Sequence, residues 1–361
     1  MKRIKKTKII ATLGPSTSSA DSIEKLIKEG VDVLRINFSH SSHKQAEALI
    51  KDIRQVNDKL EANTSILADL QGPKLRIGEI SPNTNLNDGD EIKIKTGEKF
   101  IGDEKIIFID YQSLPKDINT GEKILIDDGK IILKVTGTNK KDEINAEIIQ
   151  GGALFSNKGF NLPNTNISQP ALTDKDIKDA VFSAKQNVDW IALSFVRHES
   201  DVKSLIELLE KNIDHRIPVI AKIEKPEGVR NIDNIMKYAS GIMVARGDLG
   251  VEINASEVPL IQKKLVHKAK KARIPVIIAT QMMESMMESL NPNRAEVNDV
   301  ANSVMDGADA VMLSGETSVG KHPVEVIQTI ASIIGKVENS NLISLKHKHP
   351  TDYDSERFIT K

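Results

Sequence analysis

The sequence predicts an α/β fold: a closed (β/α)8 barrel of the TIM type with a small antiparallel β-barrel domain inserted into it. Three observations lead there. Eight short apolar runs are each followed by a stretch of helical period. Between about residues 73 and 169 the period drops to two. Two segments echo one another: Arg-Ile-Pro-Val-Ile at 216–220 recurs at 273–277, and Gly30-Val-Asp-Val33 resembles Gly307-Ala-Asp-Ala310, each a helix stop leading into a strand. An open doubly wound sheet is the alternative, but eight successive units favour closure.

Ile9–Leu13 reads as the first strand, after a basic lead-in too soon broken by Gly14-Pro15 to be a signal segment. Ile23, Leu26 and Ile27 then form a helical stripe that Gly30 stops. Val33–Asn37 and Ile66–Asp69 are the next strands. After the interruption, Thr173 and Asp176 form a capping box opening a helix with Ile177, Ala180, Val181 and Ala184 inward. Trp190–Phe195 is the fourth strand, and Val202, Leu205, Ile206 and Leu209 form the stripe after it. Val219–Ile223, Ile242–Ala245, Val276–Ala279 and Ala310–Leu313 complete the eight. Pro323 suits the first turn of a last helix carrying Ile327, Ile330 and Ile334.

Inside the interruption, Glu91–Thr96, Lys123–Ile126, Ile131–Val135 and Ile144–Ile149 alternate like half-buried strands, and Asp127-Asp128-Gly129 signals a hairpin. The expected organisation is a barrel over 1–72 and 170–340, an inserted β domain over 73–169, and the start of a truncated C-terminal segment over 341–361. Asp354–Ile359 reads as the beginning of a helix, so a further domain is expected to be missing.

The chain has 361 residues, with 50 Lys+Arg against 51 Asp+Glu. This near-zero balance argues against nucleic-acid binding as the main task. No run of about 18 apolar residues is present, so no membrane span is expected. The absence of cysteine excludes disulfides, thiolate nucleophiles and Cys-based metal sites. The Met282, Met283, Met286 and Met287 cluster reads as core packing, and the Lys268, Lys270 and Lys271 run as a solvated helix face.

Active sites of such barrels are built from the carboxyl ends of the strands. Those ends carry Arg35, Asn37, Ser39 and His40, then Asp69, Ser194, Lys222 with Glu224, Arg246-Gly247-Asp248, Thr280 with Gln281, and Ser314-Gly315-Glu316. Glu224 and Asp248, with no histidine pair nearby, suit a hard oxygen-seeking ion such as Mg²⁺. Arg35, Arg76 and Lys222 supply the positive charge a transferring phosphoryl group needs. Gly247 permits close approach of backbone N–H groups to an anion. Arg246 reads as structural. Asp69 has a second reading as a partner for Lys74 or Arg76.

Eight motifs in order carry a family resemblance. They are Thr7-Lys-Ile-Ile-Ala-Thr-Leu-Gly-Pro15, Arg35-Ile-Asn-Phe-Ser-His40, Asp69-Leu-Gln-Gly-Pro-Lys-Leu-Arg76, Lys158-Gly-Phe-Asn-Leu-Pro163, Ala221-Lys-Ile-Glu224, Met243-Val-Ala-Arg-Gly-Asp-Leu-Gly250, Ala279-Thr-Gln-Met282 and Met312-Leu-Ser-Gly-Glu-Thr317. Together they resemble the pyruvate kinase family.

The resemblance implies transfer of the phosphoryl group of phosphoenolpyruvate to ADP, then protonation of the enolate, in the cytoplasm and in the direction of ATP synthesis. It implies that Glu224 and Asp248 hold Mg²⁺ or Mn²⁺. Lys222 would stabilise the phosphoryl group in flight, and Arg35 would contact it. Gly247, Asp248 and Thr280 would hold the substrate carboxylate, with Thr280 and Ser314 on the proton route. Arg76, Lys158, Asn37 and His40 would meet the nucleotide, Lys158 arriving as the inserted domain closes. Many members bind K⁺ through residues matching Asn37, Ser39, Asp69 and Leu70. This chain has Lys74 where those members have Glu, so a tethered ammonium replaces K⁺ in the expected site. A homotetramer is a family trait, as is a C-terminal domain bearing the effector site. Two other readings compete: a metal-dependent aldolase or lyase acting on pyruvate or its enolate, and a truncated form that binds ligand without turnover.

Overall fold

A computed structural model of the chain describes residues 5–340. The expected helix at 354–359 therefore lies outside the described residues.

Eight strands close a parallel barrel. They are β1 (Lys8–Thr12), β2 (Val33–Asn37), β3 (Ser65–Asp69), β12 (Trp190–Leu193), β13 (Val219–Ile223), β14 (Gly241–Ala245), β15 (Val276–Ala279) and β16 (Ala310–Leu313). Between β3 and β12 the insertion contributes eight strands of its own: β4 (Asn85–Leu86), β5 (Glu91–Lys95), β6 (Ile106–Phe108), β7 (Lys123–Ile126), β8 (Ile131–Thr138), β9 (Glu143–Gln150), β10 (Gly152–Ala153) and β11 (Phe160–Asn161). The barrel closes through β1, which pairs in parallel with both β2 and β16.

Period-two alternation on the barrel strands divides the core into two shells. One set of side chains, including Ile9, Leu34, Ile66, Ala221 and Val244, packs outward against the helices. The alternate set fills the barrel as a separate cluster: Ile10, Leu67, Ala192, Ile220, Met243, Ile277, Ala279, Ala310 and Met312. The strands are buried on both faces, which is why they read as continuous apolar runs. Ile327, Ile330 and Ile334 of the last helix are fully buried on the outer shell, and Met282, Met283 and Met286 are core.

The insertion has its own core, from Leu75 and Ile77 through Leu162. Six strands form a sheet in the order β11-β7-β8-β9-β5-β6, beside a β10–β4 pair. Its pairs are antiparallel apart from β5–β6, which is parallel, a departure from the expected all-antiparallel pattern. Residues 76–77 join the two edges of this sheet. Arg76 bridges to Gly159 beside β11, and Ile77 bridges to Ile109 beside β6. The sheet is thereby curled on itself. At the β7–β8 turn, Asp127, Asp128 and Gly129 all take positive φ, as that hairpin requires.

Two local expectations differ from the structure. The fourth barrel strand ends at Leu193 rather than Phe195, because Phe195 adopts φ +55° and turns the chain out of the sheet. The Thr173–Asp176 capping box is present, but Ile177 is exposed and Val181 only half-buried. The buried face of the helix Asp174–Lys185 is instead Asp176, Asp179, Ala180, Ser183 and Ala184. Asp176 is drawn inward because its carboxylate also accepts a backbone N–H from Gly72. The basic run lies on the surface of its helix, Lys270 and Lys271 exposed, with Lys268 pairing to Asp233 and Lys270 to Asp309. Among the described residues no helix is long and apolar enough to cross a membrane.

Candidate active site

On five of the eight strands the inward set leads, at the carboxyl edge of the barrel, to a polar residue. Ile10 is followed two residues on by Thr12, Val33 by Arg35, Leu67 by Asp69, Ala192 by Ser194 and Ile220 by Lys222. A period of two places each pair on one face, so the polar ring caps the barrel's apolar interior.

These caps join into one buried network. Arg35 Nε donates to Asp69 Oδ2 at 2.6 Å, and Arg35 Nη1 donates to Thr12 Oγ1 at 2.9 Å. Lys222 Nζ donates to Ser194 Oγ at 2.7 Å and lies 3.1 Å from Asp69 Oδ1 and 3.2 Å from Glu224 Oε1. Ser194 Oγ in turn donates a hydrogen bond to the Leu70 carbonyl at 2.7 Å. Asp69 is wholly buried, and Glu224 nearly so. Asp69 is thus held between Arg35 and Lys222, which corrects the alternative that pairs it with Lys74 or Arg76.

Burial alone would raise the Asp69 pKa, but Lys222 and Arg35 outweigh it and hold the carboxyl below its ordinary range. Burial would likewise lower Lys222; Asp69 and Glu224 overcome it and keep the ammonium charged. Glu224 goes the other way. Burial pushes its pKa up, Lys222 opposes this, and the nearby Asp248 charge adds to the rise. Its Oε2 accepts the backbone N–H of Phe195 at 2.7 Å.

Glu224 is therefore a buried carboxylate short of positive charge, with a second carboxylate close by. That donor set fits a hard divalent cation. Among the described residues no group of three or more His, Cys, Asp or Glu is assembled. A cation held by Glu224 and Asp248 would take its remaining oxygens from ligand or water, which is how Mg²⁺ is usually bound.

Beside Asp248, Thr280 (φ +70°) and Gln281 (φ +54°) form a left-handed turn after β15. Thr280 Oγ1 donates to the Ala279 carbonyl at 2.6 Å and accepts the Gly247 N–H at 2.7 Å. The Gly247 N–H expected to face an anion is thus engaged by Thr280. Arg246 is structural, as expected: it donates to Asp299 at 2.7 Å and to the Thr280 carbonyl at 2.8 Å, bracing that turn. Ser314 stands at the end of β16, its N–H donating to Glu316 Oε2 at 2.7 Å.

An open cleft separates this edge from the insertion. It is lined by Lys74, Asp128, Asn161, Arg197, Lys225 and Asp248, among others. Arg76 and Lys158 lie on the insert side. Arg76 Nη1 donates to the Asn157 carbonyl at 3.0 Å, and Lys158 pairs with Asp127 at 2.9 Å. Asn37 Oδ1 accepts the Ser39 N–H at 3.0 Å, and His40 follows on the exposed rim. Partial burial, with the positive charges of Lys74, Arg76 and Arg35, lowers the His40 pKa. Lys74 and Arg76 are exposed, and Leu70 is buried beneath them.

Sequence reasoning passed over Thr12, Lys225, Glu252 and Asn161. Thr12 carried the same signal as its neighbours, a polar residue ending an apolar strand. Lys225 adjoins Glu224, and Glu252 follows Asp248 by one helical turn. Only contacts between distant segments reveal what these do.

The family described as pyruvate kinase, barrel domain, matches residues 4–327. Pyruvate kinase of Corynebacterium efficiens is 46% identical over 340 residues, covering 94% of this chain and 71% of the relative. Pyruvate kinase of Mycobacterium intracellulare is 44% identical over 335 residues, covering 92% and 70%. The crystal structure of a pyruvate kinase from Cryptosporidium parvum superposes with a TM-score of 0.89 at 37% identity, covering 92% of this chain and 69% of that one.

Proposed function

The chain belongs to the pyruvate kinase family and is a phosphotransferase, and on that premise we propose that it moves the phosphoryl group of phosphoenolpyruvate to ADP, in the cytoplasm, with Mg²⁺ or Mn²⁺ held by Glu224 and Asp248. The observation that carries this reading is the Arg35–Asp69–Lys222–Glu224 network: two cations fixed by buried carboxylates at the mouth of the barrel.

Each group has a role its surroundings support. Arg35 has five N–H donors, and hydrogen bonds to Asp69 and Thr12 use two of them. The remainder are left for a phosphoryl oxygen. Lys222 is held charged and immobile, so it meets the negative charge that develops during transfer without reorganising. Bound between Glu224 and Asp248, the divalent ion would neutralise phosphate and enolate oxygens. Gly247, Asp248 and Thr280 receive the substrate carboxylate, which takes over the Gly247 N–H now donated to Thr280 Oγ1. Thr280, whose hydroxyl is already part of a donor–acceptor chain, delivers a proton to the enolate carbon, with Ser314 as the second candidate. Asn37, His40, Arg76 and Lys158 take the nucleotide, the last two brought over the cleft by the insert, which excludes water.

Turnover does not require K⁺ in this reading. Lys74 stands on the rim of the cleft, and its charge already reaches His40. A monovalent cation beside Asn37, Ser39, Asp69 and Leu70 would meet Lys74, Arg35 and Lys222 together.

The test is pyruvate formation from phosphoenolpyruvate and ADP, with Mg²⁺, with and without K⁺ at constant ionic strength. Turnover in both is expected. No turnover by folded, Mg²⁺-supplied protein would overturn the reading in favour of a non-catalytic binder. Turnover only with K⁺ would overturn the Lys74 part alone.

A further inference from the structure

The insert meets the barrel in two kinds of place. At its roots, Gly72 bonds to Asp176, and Arg197 donates to the carbonyls of Ile167 and Gln169. Ahead of the roots, within the strands of the insert, Asn161 Nδ2 donates to Glu252 Oε1 at 2.7 Å. The same oxygen accepts Lys225 Nζ.

Glu252 and Lys225 are both more than nine-tenths buried. Glu252 Oε2 has no hydrogen-bond partner. A buried carboxylate this sparsely satisfied depends heavily on each donor it has. Its position is equally specific. Glu252 ends the short helix Arg246–Glu252, one turn and one face below Asp248. Lys225 directly follows Glu224. The Lys225–Glu252 pair therefore ties together the two backbone segments that present Glu224 and Asp248.

Asn161 attaches the insert to that tie. It lies on β11, paired with Leu125 of β7. Lys158 is three residues before it, Arg76 bridges to Gly159 between them, and Ile77 N–H donates to the Lys158 carbonyl at 2.9 Å. Both insert residues assigned to the nucleotide are thus fastened to the segment that Glu252 holds.

We propose that Glu252 is a positioning residue: through Asn161 it docks the inserted sheet on the barrel and sets where Lys158 and Arg76 meet the nucleotide. This rests on the phosphotransfer reading of the cleft. Glu252 touches no reacting atom in this account; it acts through β11. Lys225 donates to the same Glu252 oxygen and so fixes where that oxygen accepts from Asn161.

The test compares wild type with Asn161→Ala and Asn161→Asp, each also in a Lys158→Ala background. KM for ADP and for phosphoenolpyruvate, kcat, and amide hydrogen exchange over 158–162 without ligands are measured. Asn161→Ala should raise the ADP KM roughly tenfold, the scale of one hydrogen bond to a charged group. The phosphoenolpyruvate KM should stay within about twofold, because Arg35 and Lys222 belong to the barrel. Asn161→Asp, which sets a second carboxylate against Glu252, should do more. In the Lys158→Ala background the Asn161→Ala effect should shrink, since the residue being positioned is gone. Exchange over 158–162 should quicken in Asn161→Ala. An unchanged ADP KM, equal losses for both substrates, or full additivity with Lys158→Ala would overturn the proposal. Wild type without turnover would instead overturn the functional reading. The exchange measurement still judges the docking bond in that event, because unchanged protection in Asn161→Ala removes it.

Discussion

The backbone N–H of Gly72 donates to the Asp176 carboxylate at 3.0 Å, joining the segment that leaves the barrel to the helix that re-enters it. The other Asp176 oxygen accepts the N–H and hydroxyl of Thr173. One side chain therefore clamps both roots of the insertion. Gly72 has φ +70°, and a Cβ there would lie 2.8 Å from both Phe195 Cδ2 and Ser194 Cβ. Ser194 in turn holds Lys222.

Gly72→Ala should accordingly harm both stability and chemistry. The left-handed backbone alone costs about 1–2 kcal/mol for a residue with Cβ, and the contact displaces the Ser194–Phe195 turn. Urea unfolding should show the loss, with kcat falling as Lys222 is disturbed. Asp176→Ala should cost about 2 kcal/mol through the lost acceptors, and Asp176→Asn, which keeps one acceptor oxygen, should cost less. Wild-type stability in Asp176→Ala would remove the clamp.

Lys222→Gln should lower kcat roughly 100- to 1,000-fold, the scale of deleting one preorganised group that meets developing charge. It also strands Asp69 and Glu224 as buried carboxylates with less compensation, so stability should fall by about 3 kcal/mol. Circular dichroism and urea unfolding separate the two losses. A folded Lys222→Gln enzyme with near-normal kcat would refute the role.

His40 makes stability depend on pH in a known direction. Its folded pKa lies below the ordinary 6.5 because of partial burial and the charges of Lys74, Arg76 and Arg35. Above pH 6.5 both folded and unfolded chains hold it neutral, and it contributes no slope. As pH falls below 6.5 the unfolded chain takes up the proton first, so stability declines until the folded pKa is reached. His40→Gln should remove that part of the profile, read by urea midpoints between pH 5 and 8. Bound ADP would offset the neighbouring positive charge and raise the His40 pKa, which an NMR titration with and without ADP would register.

Lys74→Glu should convert a K⁺-indifferent enzyme into one that K⁺ activates. The substitution removes a rim cation and adds a carboxylate ligand for a monovalent ion. Rates are compared in K⁺ and in a tetramethylammonium salt of equal ionic strength. Equal rates for the variant in both salts would dissociate Lys74 from monovalent-cation dependence.

Much of this architecture could be read directly from the chain. Parallel barrel strands are buried on both faces, so Val33–Asn37, Val219–Ile223, Val276–Ala279 and Ala310–Leu313 stand out with the bounds they adopt. β4, β10 and β11 are two residues long, and β6 is three. Segments so short carry no period, and nothing local announces them. The buried face of the helix Asp174–Lys185 departs from its apolar pattern for a related reason. Its apolar spacing points Ile177 inward, whereas the buried Asp176 bond to Gly72, 104 residues away, turns the helix.

The sequence by itself determined the barrel, the place of the insertion and the polar residues that end its strands. Each follows from local periodicity, because a period states which side chains share a face. Only the tertiary structure decided which of those residues answer one another: Asp69 with Arg35 and Lys222, Gly72 with Asp176, Glu252 with Lys225 and Asn161. These pairs couple segments tens to more than a hundred residues apart. Their partners are chosen by how the barrel closes and where the insert lands on it, and no local pattern carries that choice.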